Sequence, residues 1–559
     1  MGLFKRSTSK DAQESLEAQR ATMAREELQR LQKEQDRTRT AANVGSETRH
    51  RGASRMLRSM LSWIPGIGSP RQDTPASERE TLISRSRDAY RNHMLGRAAV
   101  NRAATNVVGM GLTVRPNVDG DALGLSDEQT DQINEQLARG FRLWAEDPAE
   151  CDAESTLDFY MLQRLAFISA LVSGDVFAPT PFERRPGGMF GTKLQLVEAE
   201  RVGNPLGFTD TPTEIDGVRI DGLGRPTHYR ICRGYPSDWQ TPQDWDWHPV
   251  FGERTGRRRI LHLMNEKDRP GQTRGVPYLA PILEPLQKLE RYSQAELTAA
   301  VISAMFTVAI QHDNEEDDPG LGGSTMWDQQ SDDPNKPESE RPVVQSERDH
   351  TPEGDSLALG EGAVWDLEEG AKPVEINPSR PNAQFDPFFT AVVKEIGAAL
   401  EQPAEVLLMH FSTSYTAARA AFNQLWKFIK HRRGHLTVQF CQPAYELIID
   451  ELVANGRVRL PGYRDPAKRR AYTRSIWIGE PLGSLNEQVD AKAATERIAN
   501  GTSNETLETM ALHGEDWRDV AQDRARELRW KRENGVPVYV GGKVQDPPEP
   551  EDPNSSTTD

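Results

Sequence analysis

Between Gln311 and Gly370 the chain carries 18 Asp and Glu against three Lys and Arg, laced with Pro, Gly, Ser and Asn. Like charges at that density repel one another and leave little apolar surface to bury, so the stretch cannot build a core of its own. It must hang from a frame on either side. On the N-terminal side, Tyr278 to about Thr307 reads as one helix, with Leu279, Ile282, Leu283, Leu286 and Leu289 at helical spacing before an alanine-rich end. About 30 residues of helix would span on the order of 45 Å, the length of a strut. Pro277, Pro281 and Pro285 fall in or near its first turns, where proline is tolerated, and Pro285 is the place to expect a kink. On the C-terminal side a shorter helix is expected from Asp386 through Phe389, Val393, Ile396 and Leu400, ending before Pro403. Order should resume ahead of it at Ala363–Leu367.

The acidic stretch accounts for −15 of the formal net charge of −17, so the rest of the molecule is close to neutral. Overall acidity therefore does not argue against DNA as a partner. With 559 residues, two or three domains are expected. A hydrophobic content of 36% and a mean hydropathy of −0.68 are low for a compact enzyme of this size. Either much of the chain is solvated or its apolar surface is buried on assembly. No apolar run reaches the roughly 20 residues of a membrane helix. The N-terminus is charged, without a signal-peptide core, and a cytosolic, soluble life is expected. Cys151, Cys232 and Cys441 are odd in number and widely spaced, which fits buried thiols better than a disulfide framework or a zinc site.

Residues 1–83 read as a polar arm, partly disordered, with a surface-helix pattern at Glu14–Arg39 and a short apolar patch from Met56 to Ile67. Folding should begin near Ser84. Helices are expected at Asp88–Val108, Asp131–Ala145 and Thr156–Ser173, the first stopped by Gly109 and Gly111, the last by Gly174 and Asp175. Leu112–Val114, Lys193–Val197, Gly217–Ile220, Thr227–Cys232 and Arg259–Leu263 read as strands, with a turn at Asp221–Pro226. The class is α+β. Past a Ser/Thr-rich link, Met409–Tyr415, a long helix capped by Ser412 or Ser414 should run toward Leu452 with a bend at Gly434 or Pro443. Further helices are expected at Leu485–Ala499 and Glu505–Trp530, before a disordered acidic tail at 536–559.

A search for chemistry finds none. The chain has no phosphate-cradling P-loop, dinucleotide fingerprint, HExxH or nucleophile elbow, and its 11 His show no metal-ligand spacing. No cofactor and no metal are expected. Asp313, Glu315, Glu316, Asp317 and Asp318 are dense enough for a magnesium-dependent nuclease, the alternative reading. Carboxylates that bind a catalytic metal need a rigid frame, and this run has almost no apolar neighbours to provide one. Val406–Tyr445 contains no Asp or Glu and carries Arg419, Lys427, Lys430, Arg432 and Arg433, cations available to a phosphate backbone or to another subunit.

The order of parts resembles the lambda-like family of phage portal proteins over about residues 84–530. The likeness rests on Arg97–Leu112, on Leu194–Pro205, on His262 with Arg269–Pro281, and on Pro403–Phe422 with its Tyr415–Ala421 run. None of these is a catalytic signature; together and in order they are specific. The acidic stretch and the arm are longer than the pattern requires. The resemblance implies a portal fold and a ring-forming subunit, typically dodecameric, at one capsid vertex. It implies a wing at 84–276, a first stem helix at 277–307, and a clip with the acidic insertion at 308–385. A second stem helix at 386–402, a tunnel-loop region at 403–416, a wing-return helix at 417–477 and a crown at 478–535 would follow. His410, Ser412, Thr413, Ser414 and Tyr415 would then face the DNA channel at its narrowest point. The implied partners are further copies of the chain, the terminase large subunit, the major capsid protein and scaffold, a head–tail adaptor, and double-stranded DNA without sequence specificity; no membrane is implied. The expected location is the virion, with assembly in the host cytoplasm. A capsid or scaffolding subunit is a third reading, distinguished by forming shells or transient oligomers in place of a closed ring.

Overall fold

The computed structural model describes residues 68–238, 243–305, 309–312, 371–374, 384–411, 414–481, 483, 486–540 and 543–545. The polar arm before residue 68, the Ala363–Leu367 segment, the acids at 313–318, Ser412, Thr413 and Leu485, and the last residues of the tail lie outside them. Met1–Asp73 and Thr74–Asp559 are separate units, and the described part of the first holds one helical turn, Pro70–Asp73.

The second unit opens with α1, Ala76–Asn92, and α2, Met94–Val107. One helix was expected here from Asp88; the chain instead becomes helical earlier and breaks at His93, whose backbone is extended. The His93 ring restarts the helix by accepting from the Gly96 N–H at 3.4 Å. A Cβ at Gly96 would lie 2.8 Å from the Ala89 carbonyl oxygen, so the two helices meet too closely for a larger residue. β1, Thr113–Pro116, pairs antiparallel with Ser475–Ile478 from far along the sequence. α3, Asp127–Ala145, starts with a complete capping box between Ser126 and Gln129. α4 spans Phe159–Ser173.

A three-stranded sheet follows, with β2 (Asp175–Pro179) between β3 (Val197–Glu198) and β8 (Ile260–Met264). Beside it β4 (Glu214–Ile215), β5 (Val218–Ile220), β6 (Pro226–Cys232) and β7 (Trp245–Pro249) form an antiparallel sheet in sequence order. The strand expected at Lys193–Val197 shrinks to β3, because Leu194 exchanges backbone bonds with Cys151 and Ala153 in a loop. The Arg269–Gly275 loop crosses the end of α4 backbone to backbone. A Cβ at Gly275 would stand 1.9 Å from the Gly174 carbonyl oxygen, so only glycine fits.

Beyond that crossing, a 3-10 turn at Ala280–Ile282 leads into α5, Leu283–Met305. The helix runs through Pro285, whose missing N–H falls in the first turn and costs no helical bond. β9 (Ala309–His312) pairs antiparallel with β10 (Ala371–Val374), bringing the two ends of residues 313–370 together. α6, Phe385–Ala399, then packs against α5 through Tyr292, which stacks on Phe385 at 5.5 Å and meets Phe388 edge-on at 5.0 Å. α7, Tyr415–Leu436, passes through a π-helical turn, Thr437–Cys441, into α8, Gln442–Ala454. The π-helical turn thus falls between Gly434 and Pro443, the two positions at which a bend was expected. Pro443 cannot donate to the turn before it, and the wide turn lets Gln442 donate to Thr437 instead. β11, Ser475–Ile478, closes on β1.

One core joins these helices. Phe141, Trp144, Phe159, Phe440, Tyr445 and Trp477 form an aromatic cluster with ring centroids 5.1–6.4 Å apart. Leu286 and Leu289 of α5 and Val393 and Ile396 of α6 anchor in the same core, while Phe177, Val218, Tyr229 and Ile260 make a smaller one among the sheets. The C-terminal part holds α9 (Glu487–Ala499), α10 (Glu505–Leu512) and α11 (Trp517–Glu533), then a ribbon of β12 (Val538–Val540) and β13 (Lys543–Gln545). The single helix expected from Glu505 is two, because Gly514 takes a positive φ of 71° and Asp516 begins a new cap.

Candidate functional site

The link into α7 is short and pinned at both ends. The helix Ala404–Leu408 stops at Met409 in the left-handed region, and the Phe411 ring stacks on Phe422 at 5.7 Å. Ser414 is the cap, accepting from the Ala417 N–H at 3.4 Å. His410, Phe411, Ser414 and Tyr415 are exposed. Replacing Ser414 with Ala should therefore lower stability by about 1 kcal/mol, read by urea unfolding, with the change confined to protection of the first turn of α7 in hydrogen exchange.

Along α7, Tyr415, Arg419, Asn423 and Lys427 recur every fourth residue on an exposed side. Arg419 approaches Asp490 at 3.8 Å, and Lys430 lies over the Trp426 ring at 5.5 Å. The other two expected contact cations turn inward. Arg432 is 5% exposed, donates to the Asn265 carbonyl and side-chain oxygens at 2.9 Å each, and pairs with Glu266 at 3.0 Å. Arg433 donates to the carbonyls of Val107, Asn106 and Glu480 at 2.8, 3.0 and 2.7 Å. Burial brings its pKa down to about 10, against the pull of Glu480. These two guanidiniums tie α7 to α2 and to the β8 end, which a sequence count of cations could not reveal. Beside the helix lies a groove of about 540 Å³ lined by Tyr415, Phe422, Trp426 and Thr105, with Arg419 and Asp490 at its wall.

Sequence reasoning missed a buried charge network. Arg274, in the Arg269–Gly275 loop, donates from Nε to Asp175 at 2.7 Å and from Nη2 to its other oxygen at 3.1 Å. Its remaining donors reach the carbonyls of Val202, Asp216 and Ala199 at 2.6, 2.9 and 2.9 Å. His262 lies 3.4 Å from Asp175 and 3.2 Å from the Tyr229 hydroxyl, and Arg79 of α1 pairs with Asp216. Burial opposes ionisation of Asp175, yet Arg274 and the bonds from Arg274 and His262 hold its carboxyl well below the usual range. Gly174 was read as a helix stop and Arg274 only as part of the Arg269–Pro281 stretch; nothing in the sequence paired their neighbourhood.

Among the described residues no group of His, Cys, Asp and Glu is arranged to hold a metal ion, and no helix is long and apolar enough to cross a membrane. What the geometry offers is a framework: a rigid base, a helix pair rising from it, and a small exposed link ahead of a cationic helix.

The family model "Phage portal protein, lambda family" matches residues 57–433. Portal protein B of Escherichia phage lambda is 23% identical over 510 residues, covering 87% of this chain and 90% of its own. The portal protein of Escherichia phage N15 is 24% identical over 477 residues, covering 81% and 84%. A probable portal protein of Halomonas phage phiHAP-1 is 23% identical over 497 residues, covering 86% and 88%. Chains from the virion and the neck of native gene transfer agent particles align at 14% identity with TM-scores of 0.37 and 0.38, covering 72% and 77% of this chain and 98% and 93% of theirs. With a family model matched over more than half its length, this chain belongs to the lambda family of phage portal proteins and is a structural portal subunit.

Proposed function

We propose that copies of this chain close into a ring of twelve at one capsid vertex, around a channel through which double-stranded DNA enters and leaves. The observation that carries this reading is the α5–α6 pair. Its inner side is anchored by Leu286, Leu289, Val393 and Ile396, while Leu297 is 67%, Val301 49% and Phe388 51% exposed, the last despite its edge-on contact with Tyr292. A head-to-tail contact repeated around a ring would cover such positions in every copy.

In this reading the 84–276 region and α7–α8 form the wing, α5 and α6 the stem, and residues 308–385 the clip. The link ahead of α7 forms the tunnel loop, and the part beyond about 478 the crown. The clip would meet the terminase large subunit during packaging and a head–tail adaptor afterwards, and the wing would meet the major capsid protein and scaffold. A duplex carries one charge per about 1.7 Å, and each neutralised phosphate steepens a salt-dependent grip. One cation per chain facing the bore would become a belt, so a conduit favours small polar side chains there and acids nearby. His410, Ser412, Thr413, Ser414 and Tyr415 suit that task, with Arg419, Lys427 and Lys430 left for phosphates or a neighbouring subunit.

The test is mass photometry and negative-stain imaging of the purified full chain. Closed rings with a central hole are expected. Particles that stay monomeric at assembly concentrations, or that form shells, would overturn the reading.

A further inference from the structure

The helices α9, α10 and α11 bury almost nothing within their own chain: Ala494 is their one enclosed side chain among the described residues. Their local construction is sound. Asn486, Asn504 and Asp516 cap the three N-termini, and Arg497 grips Glu508 through bonds of 2.8 and 2.6 Å. Arg115 of β1 holds Asp516 at 2.6 Å, and Arg518 pairs with Asp131 of α3. Yet an eight-residue helix such as α10 is marginal in water, and exposed ion pairs add little. The apolar side chains that should stabilise the three helices are left exposed instead: Val489 of α9 is 52%, Leu507 and Leu512 of α10 are 55% and 42%, and Trp530 of α11 is 59% exposed.

The unpaired charges around these positions are unevenly distributed. On α9 and α10, Glu487, Glu496 and Glu505 are exposed and have no ion pair among the described residues, against the single unpaired cation Lys492. Val489 with Glu496, and Glu505 with Leu512, stand two helical turns apart on common sides. On α11, Arg524, Arg529 and Arg532 are exposed and likewise without an ion pair among the described residues, against the unpaired acid Glu533, and Arg526 has only Asp523 of its own helix at 3.3 Å. Arg526, Arg529 and Trp530 share one side of that helix. One molecule thus presents a partly apolar surface with an excess of unpaired acids and a second with an excess of unpaired cations, the two halves a head-to-tail contact needs.

We propose that these faces bind each other between adjacent copies, the α9–α10 side of one subunit covering the α11 side of the next. This rests on the ring reading above and says which surfaces close the ring at its C-terminal end. Nucleic acid fits the faces less well, since Trp530, Leu507 and Val489 gain nothing from phosphates and the acids would be repelled.

Two full-length variants test it: Glu496→Arg with Glu505→Arg, and Arg526→Glu with Arg529→Glu. All four side chains are exposed, so both should fold, which circular dichroism confirms. Each variant alone should need a roughly tenfold higher concentration to keep its rings closed. An equimolar mixture should restore wild-type closure, because alternating copies place Arg against native Arg nowhere and opposite charges at every junction. Rings from each variant that are as stable as wild type would overturn the proposal. Intact rings with lost affinity for duplex DNA in the Arg526/Arg529 variant would also overturn it, assigning those cations to nucleic acid. A wild-type chain that forms no ring would instead remove the ring reading itself.

Discussion

Arg274→Met is expected to lower stability by about 3–5 kcal/mol, because it strands the fully buried Asp175 without its counter-ion. The lost side chain also takes a hydrogen bond from each of three carbonyls, those of Ala199, Val202 and Asp216. The pH dependence separates this cause from simple loss of volume. In the native protein the Asp175 carboxyl is held below its unfolded value of about 3.9. Its contribution is therefore present above that value and lost as the pH falls through the folded one. Without Arg274, burial dominates and raises the folded value above the unfolded one, so the penalty is greatest near neutral pH and eases as acidification protonates the carboxyl. Urea unfolding at pH 7.5 and at pH 5 should show the variant gaining stability relative to wild type on acidification. A loss under 1 kcal/mol, or one that ignores pH, would show that the pair does not hold this region together. Arg274 lies three residues before Pro277, so the network also fixes where α5 leaves its base.

Placing Arg at both Ser412 and Thr413 should cut DNA packaging severely while rings still form. Ser414 is left untouched, since it caps α7 and its loss would confuse a fold effect with a channel effect. With the link lining the channel as proposed, two cations per copy would become a belt of many around a sliding duplex, and each phosphate engaged would add roughly 0.9 to the salt slope of binding. Packaging should recover partly at higher ionic strength, where that grip weakens. Unchanged packaging would place the constriction elsewhere, and loss of rings would show that the link belongs to a subunit contact.

Much of the helical frame was legible because its apolar residues keep a strict spacing over many turns. Leu286, Leu289, Val393 and Ile396 were picked as one face of each helix and do anchor in the core. Ser414 was one of two candidate caps and is the one used. The breaks were less legible. His93 carries no mark of an interruption, and its cause lies in the close approach of Gly96 to Ala89. Long-range pairings were invisible: β1 and β11 are separated by most of the chain, and each alone is a short apolar run.

Sequence by itself determined the α+β class, the two helices flanking an acidic stretch, the lack of catalytic motifs and the family. These follow from local periodicity, charge density and motif order, which a linear chain displays directly. Tertiary structure alone decided which arginines are spent inside. Arg432 and Arg433 sit beside Lys430 in the sequence, but the packing of α7 buries Arg432 against Asn265, half-buries Arg433 against α2, and leaves Lys427 and Lys430 outside. The partners of Asp175 were settled the same way, by a backbone crossing that brings Gly275 against Gly174. Whether a charge is a strut or a surface depends on what packs over it, and that is a property of three dimensions.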